Sequence, residues 1–229
     1  MEIHTNIYTS CYSKMLKRHK NEDMDFYIQV SRSLFYPFRG VDGKSIMDMI
    51  DLNYGPSFGM YSDSLEEYER EIQGDDYREY LEELKDWLTG KNVYDNLEAE
   101  DIAAYDNSIK ELEEWRDKIK ILPLDERIEA YEKEYPEQED KDSLACFGFT
   151  KEKLKDIEKW NPAVTLNFYL LCFEDLDKKY TAKDEMKNPD CKEGTFKKCH
   201  RTNLARVLNK RYGLNITEYG ENAGQCELF

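Results

Sequence analysis

Two short runs in this chain carry residue types that can do chemistry. Cys172-Phe173-Glu174 closes a nonpolar stretch that begins at Val164, and Cys199-His200-Arg201 opens a basic amphipathic stretch. A thiol, an imidazole and a carboxylate can divide nucleophilic and proton-transfer roles, which assigns Cys199 as nucleophile with His200 or Glu174 as its proton partner. Arginine holds phosphate or carboxylate through paired N–H donors, which gives Arg201 and Arg32 ligand-binding roles. A helix start presents unpaired N–H groups and about half a positive charge. Lys197, Lys198, His200 and Arg201 gather at that same point. The expected site is an anion pocket whose helix start and cations favour the Cys199 thiolate.

The elements that must position these residues can be read from periodicity. Ile3 to Thr9 alternates in polarity and reads as a first strand, and Phe26 to Ser31 reads as a second. A loop marked by Pro and Gly runs from Pro37 to Gly59, with Ser31 and Arg32 just before it. Val164 to Cys172 is apolar on both faces, as in a central strand of a parallel α/β sheet. Leu204, Val207, Leu208 and Tyr212 stripe a final helix, Gly213 stops it, and Leu214 to Glu218 returns as a strand. Ligands of such sheets sit at strand carboxyl ends. One cleft is therefore expected to collect Ser31, Arg32, Cys172, Glu174, Cys199, His200 and Arg201, with Tyr8 and Ser10 at the end of the first strand lining it. The opposing reading makes Cys172 a small core side chain and Cys-His-Arg a helix cap with Arg201 paired to Glu174.

Between the strands lies an acidic, helical segment. Tyr77, Tyr80, Leu81, Leu84, Trp87 and Leu88 share one helical face up to Gly90. Ile102, Tyr105, Ile109, Leu112, Trp115 and Ile119 repeat the pattern to Pro123, and Leu124, Ile128 and Tyr131 continue it to Pro136. A short helix after Gly148 carries Leu154, Ile157 and Trp160. The expected architecture is α/β: a Rossmann-like, mostly parallel sheet formed by 1–62 and 143–224, an acidic helical insertion at 63–142, and a tail at 225–229.

Charge is divided unevenly. Residues 63–142 hold 29 of the 49 acidic and 11 of the 33 basic side chains, so a net charge of −18 sits there in a chain of net −16. From Lys197 to Tyr212 there are six Lys or Arg and no acidic residue, so a polyanion can approach that end despite the overall sign. The longest apolar run is far short of the roughly 20 residues of a membrane helix. With no signal-like start, a cytoplasmic location and reduced cysteines are the expectation.

Several motifs are absent. Cys172, Cys191, Cys199 and His200 supply soft ligands, but no Cys-x-x-Cys pair occurs and adjacent Cys199 and His200 fit one zinc ion poorly, so no metal is expected. Ala205 stands where a Cys-x5-Arg phosphatase needs arginine. Neither a glycine-rich phosphate loop nor a Gly-x-Ser-x-Gly elbow is present, and no cofactor is implied.

Four runs together carry a family likeness: Ile7-Tyr-Thr-Ser10, Tyr27-Ile-Gln-Val-Ser-Arg-Ser33, Leu170-Leu-Cys-Phe-Glu174 and Cys199-His-Arg-Thr-Asn-Leu-Ala205. The chain in these parts, roughly 1–40 and 160–220, resembles the domain of unknown function 488 (YeaO-like) family. Two features depart from it: a longer lysine-rich loop between the last two runs, and Ser10-Cys11-Tyr12 in place of a glycine-containing turn. The resemblance implies an intracellular α/β domain.

Function classes divide in two. The first is binding of, or action on, a nucleotide, nucleoside or nucleic acid at the Cys-His-Arg helix start and Cys-x-Glu strand end. The second is an interaction protein without chemistry, either an acidic mimic of DNA or an adaptor for a sliding clamp. Gln225-Cys-Glu-Leu228-Phe229 resembles a clamp-docking peptide with Gln225, Leu228 and Phe229 as contacts, and the same residues can instead pack on the chain's own core. The residues define a site without fixing a reaction, and whether the protein is an enzyme stays open.

Overall fold

The computed structural model describes residues 1–12, 14–15, 25–30, 49–51, 75–172, 176, 178–187, 189, 192–195 and 199–219. Five strands, β1 (Ile3–Cys11), β2 (Asp25–Gln29), β3 (Met49–Asp51), β4 (Val164–Cys172) and β5 (Ile216–Glu218), form one sheet in the order β3-β2-β4-β1-β5. β2 pairs in parallel with β3 and β4, and β1 with β5. Contacts between β1 and β4 climb in the same direction along both strands: the Val164 amide donates to the Glu2 carbonyl at 3.1 Å, the Asn6 amide to Asn167 Oδ1 at 3.0 Å, and Tyr8 stacks on Tyr169 at 5.4 Å. That pair is parallel too, and the expected α/β class is what the chain adopts. β4 sits at the centre with both faces buried apart from the partly buried Asn167, in keeping with its largely apolar sequence. The order differs from the dinucleotide-binding arrangement, in which the first strand lies between the second and fourth. Here the fourth lies between the second and first.

β3 is a finding the sequence pattern concealed. Met49–Asp51 lies inside the stretch expected as loop, a three-residue edge strand too short to show alternation.

Two compact units divide the chain: Met1–Thr5 with Thr89–Leu166, and Asn6–Leu88 with Asn167–Phe229. These bounds differ from the expected insertion at 63–142. Helix α1 (Asp75–Leu88) falls in the unit with most of the sheet, because it packs on the helix near the chain's end. The Tyr212 hydroxyl donates to Glu82 Oε1 at 2.9 Å, and Lys85 lies 5.6 Å from the Tyr212 ring centre. Residues 143–166 fall in the other unit for a similar reason: Leu144, Phe149, Leu154, Ile157 and Trp160 share a core with Leu112, Trp115, Ile119 and Tyr131.

That helical unit holds α2 (Lys91–Asp95), α3 (Ala99–Ile119), α4 (Leu124–Glu134), α5 (Gln138–Ala145) and a kinked 3₁₀ segment, Lys151–Lys159. Glu98 with Asp101 and Glu137 with Asp140 form capping boxes at the starts of α3 and α5. Trp115 is the hub, with Tyr135, Phe149, Trp160 and Tyr131 at centroid distances of 5.2, 5.7, 6.4 and 6.5 Å. Arg127 ties the segment after α3 to the 3₁₀ segment by donating to the carbonyls of Lys120, Leu122 and Leu154.

Gly90 turns the chain between α1 and α2 with φ 76°, and a Cβ there would stand 2.9 Å from Ile3 Cγ2 and 3.2 Å from Leu166 Cδ1. Left-handed backbone costs a non-glycine residue about 1–2 kcal/mol, and crowding in a packed region about 1–3 more. Gly90→Ala is expected to lower stability by about 2–5 kcal/mol in urea denaturation, and a loss below about 1 kcal/mol would show that neither the turn nor the close approach is constraining.

Candidate site at the carboxyl edge of the sheet

β2 leads outward to β3, whereas its neighbour β4 leads the other way, past β1, to β5. Connections that diverge from adjacent strands leave a crevice at their carboxyl ends, which is where open parallel sheets take ligands. The Val30 amide donates to the Leu171 carbonyl at 3.0 Å, so the two strands stay paired to this edge. The chain runs on from here into Ser31-Arg32 on one side and Phe173-Glu174 on the other. Ser31, Arg32 and Glu174 lie outside the described residues, as do Gln225, Leu228 and Phe229.

α7 (His200–Tyr212) packs on β5 and presents its first turn at this edge. Cys199, its N-cap, has extended backbone and makes no side-chain cap, while its carbonyl accepts from the Thr202 amide at 3.1 Å. His200 opens the helix.

Arg201 is fully buried. Its Nη2 donates to Glu218 Oε1 at 2.8 Å and its Nε to Glu218 Oε2 at 3.4 Å, and the Thr9 hydroxyl donates to the same Oε2 at 2.5 Å. One buried chain of polar contacts thus links α7, β5 and β1. Burial alone disfavours the guanidinium charge, but the Glu218 carboxylate, with Cys199 and Cys172, more than offsets it and holds the Arg201 pKa above its ordinary value. Both thiols are therefore within electrostatic reach of Arg201. Cys172 and Cys199 are each only 3% exposed.

Two expectations are corrected. Arg201 was expected to grip a ligand anion, with pairing to Glu174 as the opposing reading, yet its guanidinium is closed off from solvent and engaged by Glu218. Tyr8 and Ser10 were expected in the same cleft as Cys172 and Arg201. Strand alternation puts them on the opposite face, because Thr9, which reaches Glu218, lies between them. There Tyr27, Tyr169 and Tyr8 stack across three strands at 5.3 and 5.4 Å, and Tyr219 meets Tyr8 and Tyr169 edge-on. The Ser10 hydroxyl is buried on that face without a hydrogen-bond partner among the described residues.

Glu218 and Thr9 were missed from sequence, though a signal existed. Arg201 falls three residues before Leu204 and seven before Leu208, on the buried stripe of α7, and Glu218 shares a strand face with buried Ile216. A buried cation and a buried carboxylate in neighbouring elements call for one another.

No family model, curated protein or solved structure matches the chain. Among the described residues no helix is long and apolar enough to cross a membrane.

Proposed function

We propose that the protein binds, and acts on, a phosphorylated nucleoside at the carboxyl edge of the sheet, between the ends of β2 and β4. The observation that supports this reading most is that Cys172 ends the central strand β4 at the carboxyl edge, where Arg201, two residues after Cys199, is fixed on the ends of β5 and β1 through Glu218 and Thr9. A fixed positive charge beside thiols favours a thiolate. The first turn of α7, which has no side-chain cap from Cys199, supplies N–H donors for an anion at its opening residues.

Each residue then has a role. Arg32 and Ser31, which follow β2 in the sequence, hold the phosphate together with His200 and the α7 amides. Glu174 orients the sugar hydroxyls or moves a proton. Cys199 is the nucleophile. Arg201 is a positioning residue: tied to Glu218, it fixes the first turn of α7 and the electrostatics of both thiols without touching the ligand. The motif likeness to the domain of unknown function 488 (YeaO-like) family is compatible with this placement.

Thermal unfolding in the presence of nucleoside mono-, di- and triphosphates, with inorganic phosphate as control, tests the reading. A ligand at about 100 times its Kd stabilises by about 2.7 kcal/mol, which for a chain of this size raises Tm by about 5–10 °C. The expected result is such a shift with at least one nucleotide and its loss in Arg32→Ala. A flat response across the nucleotides, or a shift unchanged in Arg32→Ala, overturns it.

A further inference from the structure

The helical unit contains a groove that the carboxyl-edge site does not use. It has a volume of about 580 Å³, within the range of about 300–1,000 Å³ in which proteins hold ligands. α3 forms one wall, and the end of α4 with α5 and the turn after it forms the other. The floor is apolar: Leu112, Trp115, Leu144 and Phe147. Above it stand Glu111 and Glu114 from α3, Glu134 from α4 and Asp140 from α5, against a single cation, Lys118.

Two physical features mark this groove. The first is that three of its four carboxylates, Glu111, Glu114 and Glu134, are uncommitted, while Asp140 accepts the Glu137 amide in the α5 capping box. Some carboxylates elsewhere in the same unit are neutralised locally: Glu132 takes both Lys141 and Lys151, and Asp117 takes Arg116 and Lys120. Glu111, Glu114 and Glu134 have no ion-pair partner among the described residues, and Lys118 closes no salt bridge to Glu114 one helical turn away. The second is that the uncompensated charge sits beside aromatic side chains that are buried, Trp115, or partly buried, Tyr135 and Phe147. The Tyr135 hydroxyl records the combination: burial, then Glu134, Glu111, Tyr131 and Asp140, push its pKa up to about 12. Desolvated aromatic surface beneath unpaired negative charge recognises a group that is apolar in the middle and cationic at its margins.

We propose that this groove is a docking site for a basic amphipathic peptide segment of a partner protein. One apolar or aromatic side chain fills the space over Leu112, Trp115, Leu144 and Phe147. Lys or Arg residues on either side of it pair with Glu111 and Glu114 on one wall and with Glu134 and Asp140 on the other. Charge complementarity selects this occupant: the 63–142 segment carries a net −18, which repels acidic peptides and nucleic acid from this face and draws cations toward it. The helix-in-groove mode supplies the geometry, since anchors one turn apart on the peptide match carboxylates one turn apart on α3.

The test uses the full chain and a fluorescein-labelled amphipathic peptide of leucine, lysine and one tryptophan, with a version carrying glutamate for lysine as control. Fluorescence anisotropy reads binding to the wild type, to Glu111→Gln/Glu114→Gln/Glu134→Gln, and to Asp125→Asn/Glu126→Gln/Glu129→Gln. The last variant removes the same charge from exposed positions outside the groove. Expected are saturable binding to the wild type, at least a tenfold loss in the groove variant, a loss of less than threefold in the outside variant, and no binding of the glutamate peptide. Circular dichroism confirms that both variants fold. Absence of binding, equal weakening by both variants, or an unaffected groove variant overturns the proposal. So does concentration-dependent self-association in gel filtration that the groove variant abolishes, because the occupant is then a second copy of this chain.

Discussion

Arg201→Ala is expected to destabilise the protein by about 3–5 kcal/mol, the cost of leaving one member of a buried ion pair uncompensated. The Glu218 carboxylate is 5% exposed and loses both of its guanidinium contacts, retaining among the described residues the Thr9 hydroxyl. Against a typical total of about 5–15 kcal/mol, this is enough to leave a large unfolded fraction at 37 °C. Glu218→Ala strands the Arg201 charge in the same way and should cost a similar amount. The two losses should not add. With both groups replaced, as in Arg201→Met/Glu218→Leu, no buried charge is left over, and the double variant should be more stable than either single one. Arg201→Lys keeps a charge but not the two-pronged geometry, and falls between alanine and wild type. Urea denaturation of the four variants checks the set. Single losses under about 1 kcal/mol, or strict additivity, would mean that this pair does not couple α7 to β1 and β5. The result also bears on function: loss of ligand response in an Arg201 variant would report a damaged first turn of α7, so ligand contact is better tested at Arg32.

What could be read in advance follows from how far each signal is local. β4 was legible because nine residues of which only Thr165 and Asn167 are polar leave both faces of a strand apolar, as the middle of a sheet requires. α1, α3 and α4 were legible because their stripes persist over two turns or more and stop at Gly90, Pro123 and Pro136. β3, α2, α5 and α6 (Ala182–Lys187) are at most eight residues long and give periodicity too little length to register. The site was half legible for a related reason. That β4 ends at the carboxyl edge of the sheet follows from parallel α/β topology. Which side chains turn inward there depends on partners far away in sequence: Arg201 is hidden by a carboxylate that arrives only with β5, and Tyr8 and Ser10 are turned away by the single-residue alternation of β1. Long-range pairing of this kind leaves no mark within a window of neighbouring residues.

Trp115→Ala is expected to cost about 3–5 kcal/mol, the range for removing a large aromatic side chain from a packed core. Four aromatic rings lie 5.2 to 6.5 Å from the Trp115 centroid, and they come from α4, from the residue just after it, and from either side of the 3₁₀ segment. Tyr131 and Phe149 also pack on each other, and Phe149 on Trp160, so the cluster can close only partly over the space. Edge-to-face pairs contribute about 0.5–1.5 kcal/mol each beyond area burial, which places the loss toward the upper end. Trp115→Phe keeps a ring in the site and should cost distinctly less. Hydrogen exchange separates this effect from a general loss of stability: protection should fall first across 99–160, where the cluster lies, before it falls across β2 and α7. Uniform loss of protection would show that Trp115 stabilises the chain as a whole. The same substitution removes part of the apolar floor of the acidic groove while leaving Glu111, Glu114 and Glu134 in the sequence. A basic peptide held by charge alone would bind Trp115→Phe as it binds the wild type, whereas one anchored over the indole should bind it several-fold more weakly, so the pair of variants divides the apolar from the electrostatic part of recognition.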